Sequence, residues 1–175
     1  MRRLQIYEPR ERALVRAADV ALAPIGWVSS RGGARGDVRR VLLLRLERIG
    51  DLLMVLDAIR DARAAWPTAE IDLAVGSWNV PLARLIPEVT SIDAVDAPWL
   101  ARGAAALSWP ALIAHARGWR RRQYDLVVNF EPDIRSNVLA WFSGAPRRVG
   151  YWSAGGGALL TEALEYQPGT HVSEN

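Results

Sequence analysis

The stretch Val41–Asp51, VLLLRLERIGD, constrains the fold of this chain more than any other. Val41 to Leu46 is a nearly continuous apolar run broken only by Arg45, which suits a parallel strand covered on both faces. A short turn, Glu47–Arg48–Ile49–Gly50, follows, and Asp51 opens a helical pattern. Open α/β sheets bind ligands in the crevice at the carboxyl ends of their strands, so the turn should deliver Arg45, Arg48, Gly50 and Asp51 there. The dipole of the helix favours a carboxylate in its first turn. Asp51 is therefore expected to be ionised and available as a proton acceptor.

Strand and helix patterns alternate after this point. Leu52, Val55, Leu56, Ile59, Ala62 and Trp66 recur at helical spacing, and Pro67 ends that helix. Ile71–Val75 reads as a second strand, Trp78–Ile86 as a short helix with Pro81 in its first turn, and Ser91–Val95 as a third strand. Residues 96–107 carry no period and read as loop. Ser108 can cap a helix that buries Leu112, Ile113, Ala116 and Trp119 and ends in the cluster Arg120–Arg122. His115 has no role assigned. Leu126–Phe130 is a fourth strand ending in the polar cluster Asn129–Phe130–Glu131–Pro132–Asp133; a helix over Ile134–Phe142 stops at Gly144, and Arg147–Tyr151 is a fifth strand. Gly155–Gly157 reads as a loop. Right-handed crossovers order these strands 3-2-1-4-5 in a doubly wound, Rossmann-like parallel sheet. Strands 1 and 4 are then neighbours, and the loops carrying Asp51 and Glu131/Asp133 face one crevice.

Residues 1–38 form an appendage, ahead of an α/β domain over 39–170. Leu14, Ala18, Ala21, Leu22 and Ile25 share a helical face, with Trp27 beyond them. The helix either packs on the sheet or a partner domain, or rests through residues 10–28 on an anionic membrane surface. Ser29–Gly36 has linker composition.

Composition removes several function classes. The chain has 175 residues, no Cys and two His, so disulfides, thiolate chemistry and a conventional zinc site are not expected. All 22 basic residues are Arg, the net charge is only +3, and aromatic residues are not interleaved among the arginines; nucleic acid is not an expected partner. No run approaches the ~20 apolar residues of a membrane span, the first residues lack the pattern of a signal peptide, and a cytoplasmic location is expected. The crevice lacks G-x-G-x-x-G and Gly-Lys-Ser/Thr, so neither a dinucleotide nor a P-loop site is indicated. Asp51, Glu131 and Asp133 together could hold Mg²⁺, but no Asp-x-Asp follows the first strand, and Arg45 and Arg48 bring positive charge. Read without those neighbours, Asp51 could equally be a helix cap and nothing more.

Arg40–Arg60, RVLLLRLERIGDLLMVLDAIR, resembles the opening of glycosyltransferase family 9, the heptosyltransferases. Ala65–Trp66–Pro67, Tyr124–Asp125–Leu126–Val127–Val128–Asn129, Arg148–Val149–Gly150–Tyr151 and His171–x–x–Glu174 agree in order and spacing from about residue 39 onward. Asp57 departs from the proline usual in the family. The resemblance implies the N-terminal, acceptor-side half of a two-lobed GT-B enzyme that inverts configuration and needs no metal or other cofactor. It implies ADP-heptose as donor, a lipopolysaccharide-core or related lipid-linked glycan as acceptor, and Asp51 as general base. On charge and position, Arg45, Arg48 and Arg135 are candidates for acceptor phosphates or carboxylates, with Gly50, Asn129, Glu131 and Asp133 beside them. Residues 171–175 are expected to start the connection to a donor-binding half, and the chain by itself to transfer nothing. The alternative is a non-catalytic module that binds a phosphorylated sugar or a partner protein.

Overall fold

Six parallel strands in the order β3-β2-β1-β4-β5-β6 organise the computed structural model, which describes residues 9–29, 36–100, 106–167 and 169. The strands are β1 (Arg40–Arg45), β2 (Glu70–Val75), β3 (Ser91–Ala94), β4 (Leu126–Asn129), β5 (Arg147–Tyr151) and β6 (Glu162–Leu164). The first five strands and their order match the sequence expectation. The sixth, three residues with Glu162 and Leu164 exposed, has too little apolar pattern to be read as a strand. It pairs with β5 at Val149, Gly150 and Tyr151.

Alternation along β1 sets the two layers. Val41 and Leu43 face one side, where they meet α2 (Ile49–Met54), α3 (Leu56–Ala65) and α4 (Val80–Ala83) through Leu52, Val55, Ile59, Ala62 and Ala83. Leu42 and Leu44 face the other, against α5 (Trp109–Gly118) and α6 (Ile134–Phe142) through Leu112, Ala116, Leu139 and Ala140. All four β1 leucine and valine side chains are fully buried, which is why the strand reads as an unbroken apolar run. The helix expected after β1 is two helices meeting at Val55, whose φ of −104° and ψ of 7° leave the helical region; its buried stripe is nonetheless Leu52, Val55, Ile59 and Ala62 as the spacing requires. The helix expected over Trp78–Ile86 is a 3₁₀ turn, Ser77–Asn79, followed by α4.

The N-terminal helix α1 (Pro9–Ser29) lies against the turn Gly157–Leu159 beyond β5. Val15 is buried there, and the Asp19 carboxylate accepts a hydrogen bond of 2.7 Å from the Gly156 N–H. Leu14, expected on the packing face, is instead 72% exposed. The contact is made one residue later because the partner is a glycine turn that admits Val15, rather than a broad apolar sheet face. Ile25 and Trp27 have side chains outside the described set, as do most of the linker Ser29–Gly36 and all of residues 171–175. No described helix is long and apolar enough to cross a membrane.

Candidate functional site

The crevice forms where the winding reverses, between β1 and its neighbour β4. Arg45 is the last residue of β1, and the alternation that buries Val41 and Leu43 turns its side chain toward α2. Only 4% of that side chain is exposed. Its guanidinium donates to the main-chain oxygens of Asp51 (3.1 Å) and Phe130 (2.8 Å), lies 3.0 Å from the Glu47 carboxylate, and approaches Asp51 Oδ1 at 3.5 Å. One cation thus ties together the turn after β1, the first turn of α2 and the end of β4. Charge-assisted bonds of this kind are the stronger class.

Asp51 occupies the third position of α2. Its Oδ2 accepts the Arg48 N–H at 3.1 Å, which serves one of the N–H groups that a helix start leaves without an intrahelical partner. The side chain is still 38% exposed and lines a cleft of about 230 Å³ together with Arg45, Glu47, Met54, Phe130 and Tyr151. Capping and accessibility therefore coexist at Asp51. Arg48 is exposed at the start of α2. Gly50, expected to serve the turn, lies inside α2 and is exposed; a Cβ built there meets nothing within 4 Å. The turn does not demand glycine, and what Gly50 leaves is open space beside Asp51.

Asn129 and Glu131, expected as acceptor contacts, are buried beneath the crevice and cannot meet a solute as they stand. Asn129 donates to the main-chain oxygen of Glu131 (3.1 Å), to Ser136 Oγ (3.0 Å) and to Asn137 Oδ1 (2.8 Å), and it accepts the Glu131 N–H at 3.1 Å. Asn137 in turn donates to the carbonyls of Tyr151 and Gly155, both at 2.9 Å. Glu131, 1% exposed, accepts the Leu46 N–H. Burial, reinforced by the nearby Glu47 charge, pushes its carboxyl up to about 8 against the opposing pull of that N–H and of Arg45. Asp133 caps α6, accepting the Arg135 N–H at 2.7 Å, and grips the Arg135 side chain. Asp51, Glu131 and Asp133 thus bind three different partners, and no group of three or more His, Asp or Glu side chains among the described residues converges as a metal site would.

Glu47 also lines this cleft, although in the sequence it reads only as part of the turn. Its carboxyl is held above the usual range by burial, with Arg45 opposing and Asp51 and Asp133 adding to the rise. Its main-chain oxygen accepts from Trp78 Nε1 (3.0 Å) and Asn79 Nδ2 (2.8 Å). The loop after β2 therefore pins the loop after β1.

Fold and crevice define a Rossmann-like α/β unit whose polar groups gather at the strands' carboxyl ends. No family model matches the chain. Over 112 residues it is 28% identical to lipopolysaccharide heptosyltransferase 2 of Escherichia coli K12, covering 64% of this chain and 31% of that protein; the Salmonella typhimurium heptosyltransferase 2 matches at 27% over 124 residues, 71% of this chain and 34% of that protein. The solved glycosyl transferase family 9 protein from Veillonella parvula superposes with a TM-score of 0.67 at 21% identity, over 79% of this chain and 39% of that one. The chain is heptosyltransferase-like in sequence and fold, and it spans about a third of the length of the curated relatives it matches.

Proposed function

We propose that this chain is the acceptor-side half of a heptosyltransferase-like glycosyltransferase, a GT-B enzyme whose donor lobe lies in the part of the relatives that this chain does not span. The observation that carries the reading is Asp51: an accessible carboxylate at a cleft rim, held by the Arg48 N–H and set 3.5 Å from Arg45. In the reaction, Asp51 takes the proton of an acceptor hydroxyl as that oxygen attacks the anomeric carbon of ADP-heptose. The C1–O bond to ADP breaks, configuration inverts, and ADP leaves with the bonding pair. No metal is required in this scheme. Arg45 keeps the Asp51 carboxylate in place, and the exposed Arg48 supplies charge for an anionic glycan, whereas the Arg135 guanidinium is already paired with Asp133. The alternative of a non-catalytic binding module would keep the cleft and lose the proton transfer.

Relatives named for lipopolysaccharide suggest the acceptor to assay, a deacylated lipopolysaccharide-core oligosaccharide, in the complete polypeptide containing this chain. Asp51→Asn should lower kcat by about 10²–10⁴-fold with acceptor KM little changed, because a base acts only in the transition state. Glu47→Gln separates the two carboxylates of the rim: it should alter the pH profile while leaving most turnover. Unchanged turnover in Asp51→Asn would leave that residue a helix cap. The proposal extends to a cytoplasmic enzyme in peripheral contact with an anionic membrane through α1.

A further inference from the structure

The cleft that holds Asp51 has two unlike walls. One is polar: Arg45 at the end of β1, Glu47 in the turn and Asp51 in α2. The other is apolar and largely aromatic: Phe130 and Pro132 after β4, Tyr151 at the end of β5 and Tyr166 just beyond β6. Register brings them together. Leu44 pairs with Asn129, and Asn129 with Gly150, so the next residues, Arg45, Phe130 and Tyr151, stand in one row at the carboxyl edge of the sheet. Two strand spacings separate Arg45 from Tyr151, roughly 10 Å. The Tyr151 and Tyr166 rings meet edge to face, with centroids 5.6 Å apart and planes at 83°. The Tyr166 N–H donates to Ser153 Oγ at 3.3 Å and the Trp152 N–H to the Leu164 oxygen at 3.1 Å, which ties the segment after β6 to the end of β5. Burial raises the Tyr151 hydroxyl pKa, with Tyr166 adding to the rise and Arg45 opposing it; the phenol and the guanidinium thus lie close enough to interact.

Charge is unevenly offered to a solute in this cleft. Arg45 is nearly enclosed and turns its donors on Asp51, Phe130 and Glu47, whereas the Glu47 and Asp51 carboxylates are both partly exposed. A solute therefore meets accepting oxygens from one wall and aromatic rings from the other. A pyranose matches both: its hydroxyls donate to the carboxylates, and its C–H bonds lie against the negative face of an aromatic ring. At about 230 Å³ the cleft falls below the ~300–1,000 Å³ of sites for drug-sized ligands, which suits one ring. A ring carrying its own carboxylate would be set against Glu47 and Asp51, and like charges this close repel. We infer that the Asp51 cleft seats a single uncharged sugar ring of the acceptor, with Tyr166 as the platform for its C–H face and Glu47 as the group that turns anionic rings away. The inference rests on reading the chain as an acceptor-side half, and it leaves the anionic groups of a glycan outside the cleft, at the exposed Arg48.

The test uses the complete polypeptide containing this chain. Saturation-transfer-difference NMR is recorded with the neutral methyl glycosides of mannose, glucose and galactose and with the matching uronic acids, which differ from them only at C6. Wild type should bind at least one neutral glycoside, with saturation on the ring C–H protons, and about tenfold more tightly than its uronic acid. Tyr166→Ala should weaken the neutral ligand by about tenfold, and Tyr166→Phe by much less, since the ring rather than the hydroxyl forms the platform. Glu47→Gln should narrow the gap between neutral and anionic ligands. Thermal melts of each variant establish folding, and Tyr166→Leu, which keeps bulk without the ring face, stands in if the alanine variant does not fold. Equal or tighter binding of the uronic acid, equal binding by wild type and the Tyr166 variants, or no binding of any glycoside would overturn the inference. The catalytic reading fails separately: full turnover in Asp51→Asn alongside Tyr166-dependent binding would discard the base and keep the seat.

Discussion

Glu131 illustrates what burial does to a single carboxyl. It is enclosed, accepts one backbone N–H, and faces the charge of Glu47, so the proton is held to about pH 8 in the fold, well above the ordinary carboxyl range. The folded state binds the proton more tightly than the unfolded one, so stability from this group is greatest below about pH 4.5 and declines until about pH 8. Glu131→Gln keeps a carbonyl for Leu46 and removes the titration. Between pH 5 and 8 the wild type should lose roughly 4 kcal/mol that the variant retains, read from denaturant midpoints. Asp93 and His115 pull in a different window. His115 Nε2 lies 2.8 Å from Asp93 Oδ2, which also accepts Trp119 Nε1 at 2.6 Å. The hydrogen bond to Asp93 raises the His115 pKa despite burial; burial opposes the Asp93 charge, but the bonds from His115 and Trp119 outweigh it and lower the Asp93 pKa. The pair's contribution is present between about pH 4 and 6.5, and is lost as pH rises through the raised His115 value or falls through the depressed Asp93 value. Melting of His115→Gln against wild type should show a gap at pH 6 that closes at alkaline pH. A constant gap would mean that His115 is neutral throughout.

At the scale of elements, α1 depends on two glycines. Gly155 has a φ of +95° and Gly156 of +74°, and a Cβ on Gly155 would stand 2.3 Å from Val15 Cγ1. Gly155→Ala should cost about 1–3 kcal/mol through backbone strain and loosen α1 first, seen as faster amide exchange in Pro9–Ser29 than in β1. Adding Val15→Ala removes the clash but not the strain, so rescue should be partial. The same elements show what the sequence could reveal. β1, β4, α5 and β5 were legible because burial writes itself as apolar runs and caps, as at Ser108 before α5. Glu162–Leu164 was not, being three residues long at a sheet edge. His115 was illegible because its partner Asp93 lies 22 positions away on another element. Asn129 and Glu131 were expected to meet a ligand because polar residues at a strand's carboxyl end look alike whether they point into the crevice or support it from below.

For the whole molecule, several of the apolar side chains left at the surface gather on α2 and α1. Ile49, Leu53 and Met54, 40–54% exposed, lie on α2 around Asp51, while Leu14 and Val20 project from α1 beside exposed Arg10 and Arg16. Ala13, Leu14, Ala17, Val20 and Ala21 share one side of α1, opposite the side that packs through Val15 and Asp19. If that side rests on lipid, Leu14→Glu/Val20→Glu should abolish co-sedimentation with phosphatidylglycerol vesicles without changing the melting temperature; equal pelleting would remove the membrane contact. One further feature bears on how such a molecule diversifies. The turn after β1 is held through its main chain as well as through the Glu47–Arg45 ion pair, with the Glu47 carbonyl clasped by Trp78 and Asn79, so a new side chain at residue 47 gives up the ion pair and keeps the clasp. Mutation can sample new chemistry at this rim while the scaffold stays put, and residue 47 is the place to begin retuning the cleft for another substrate.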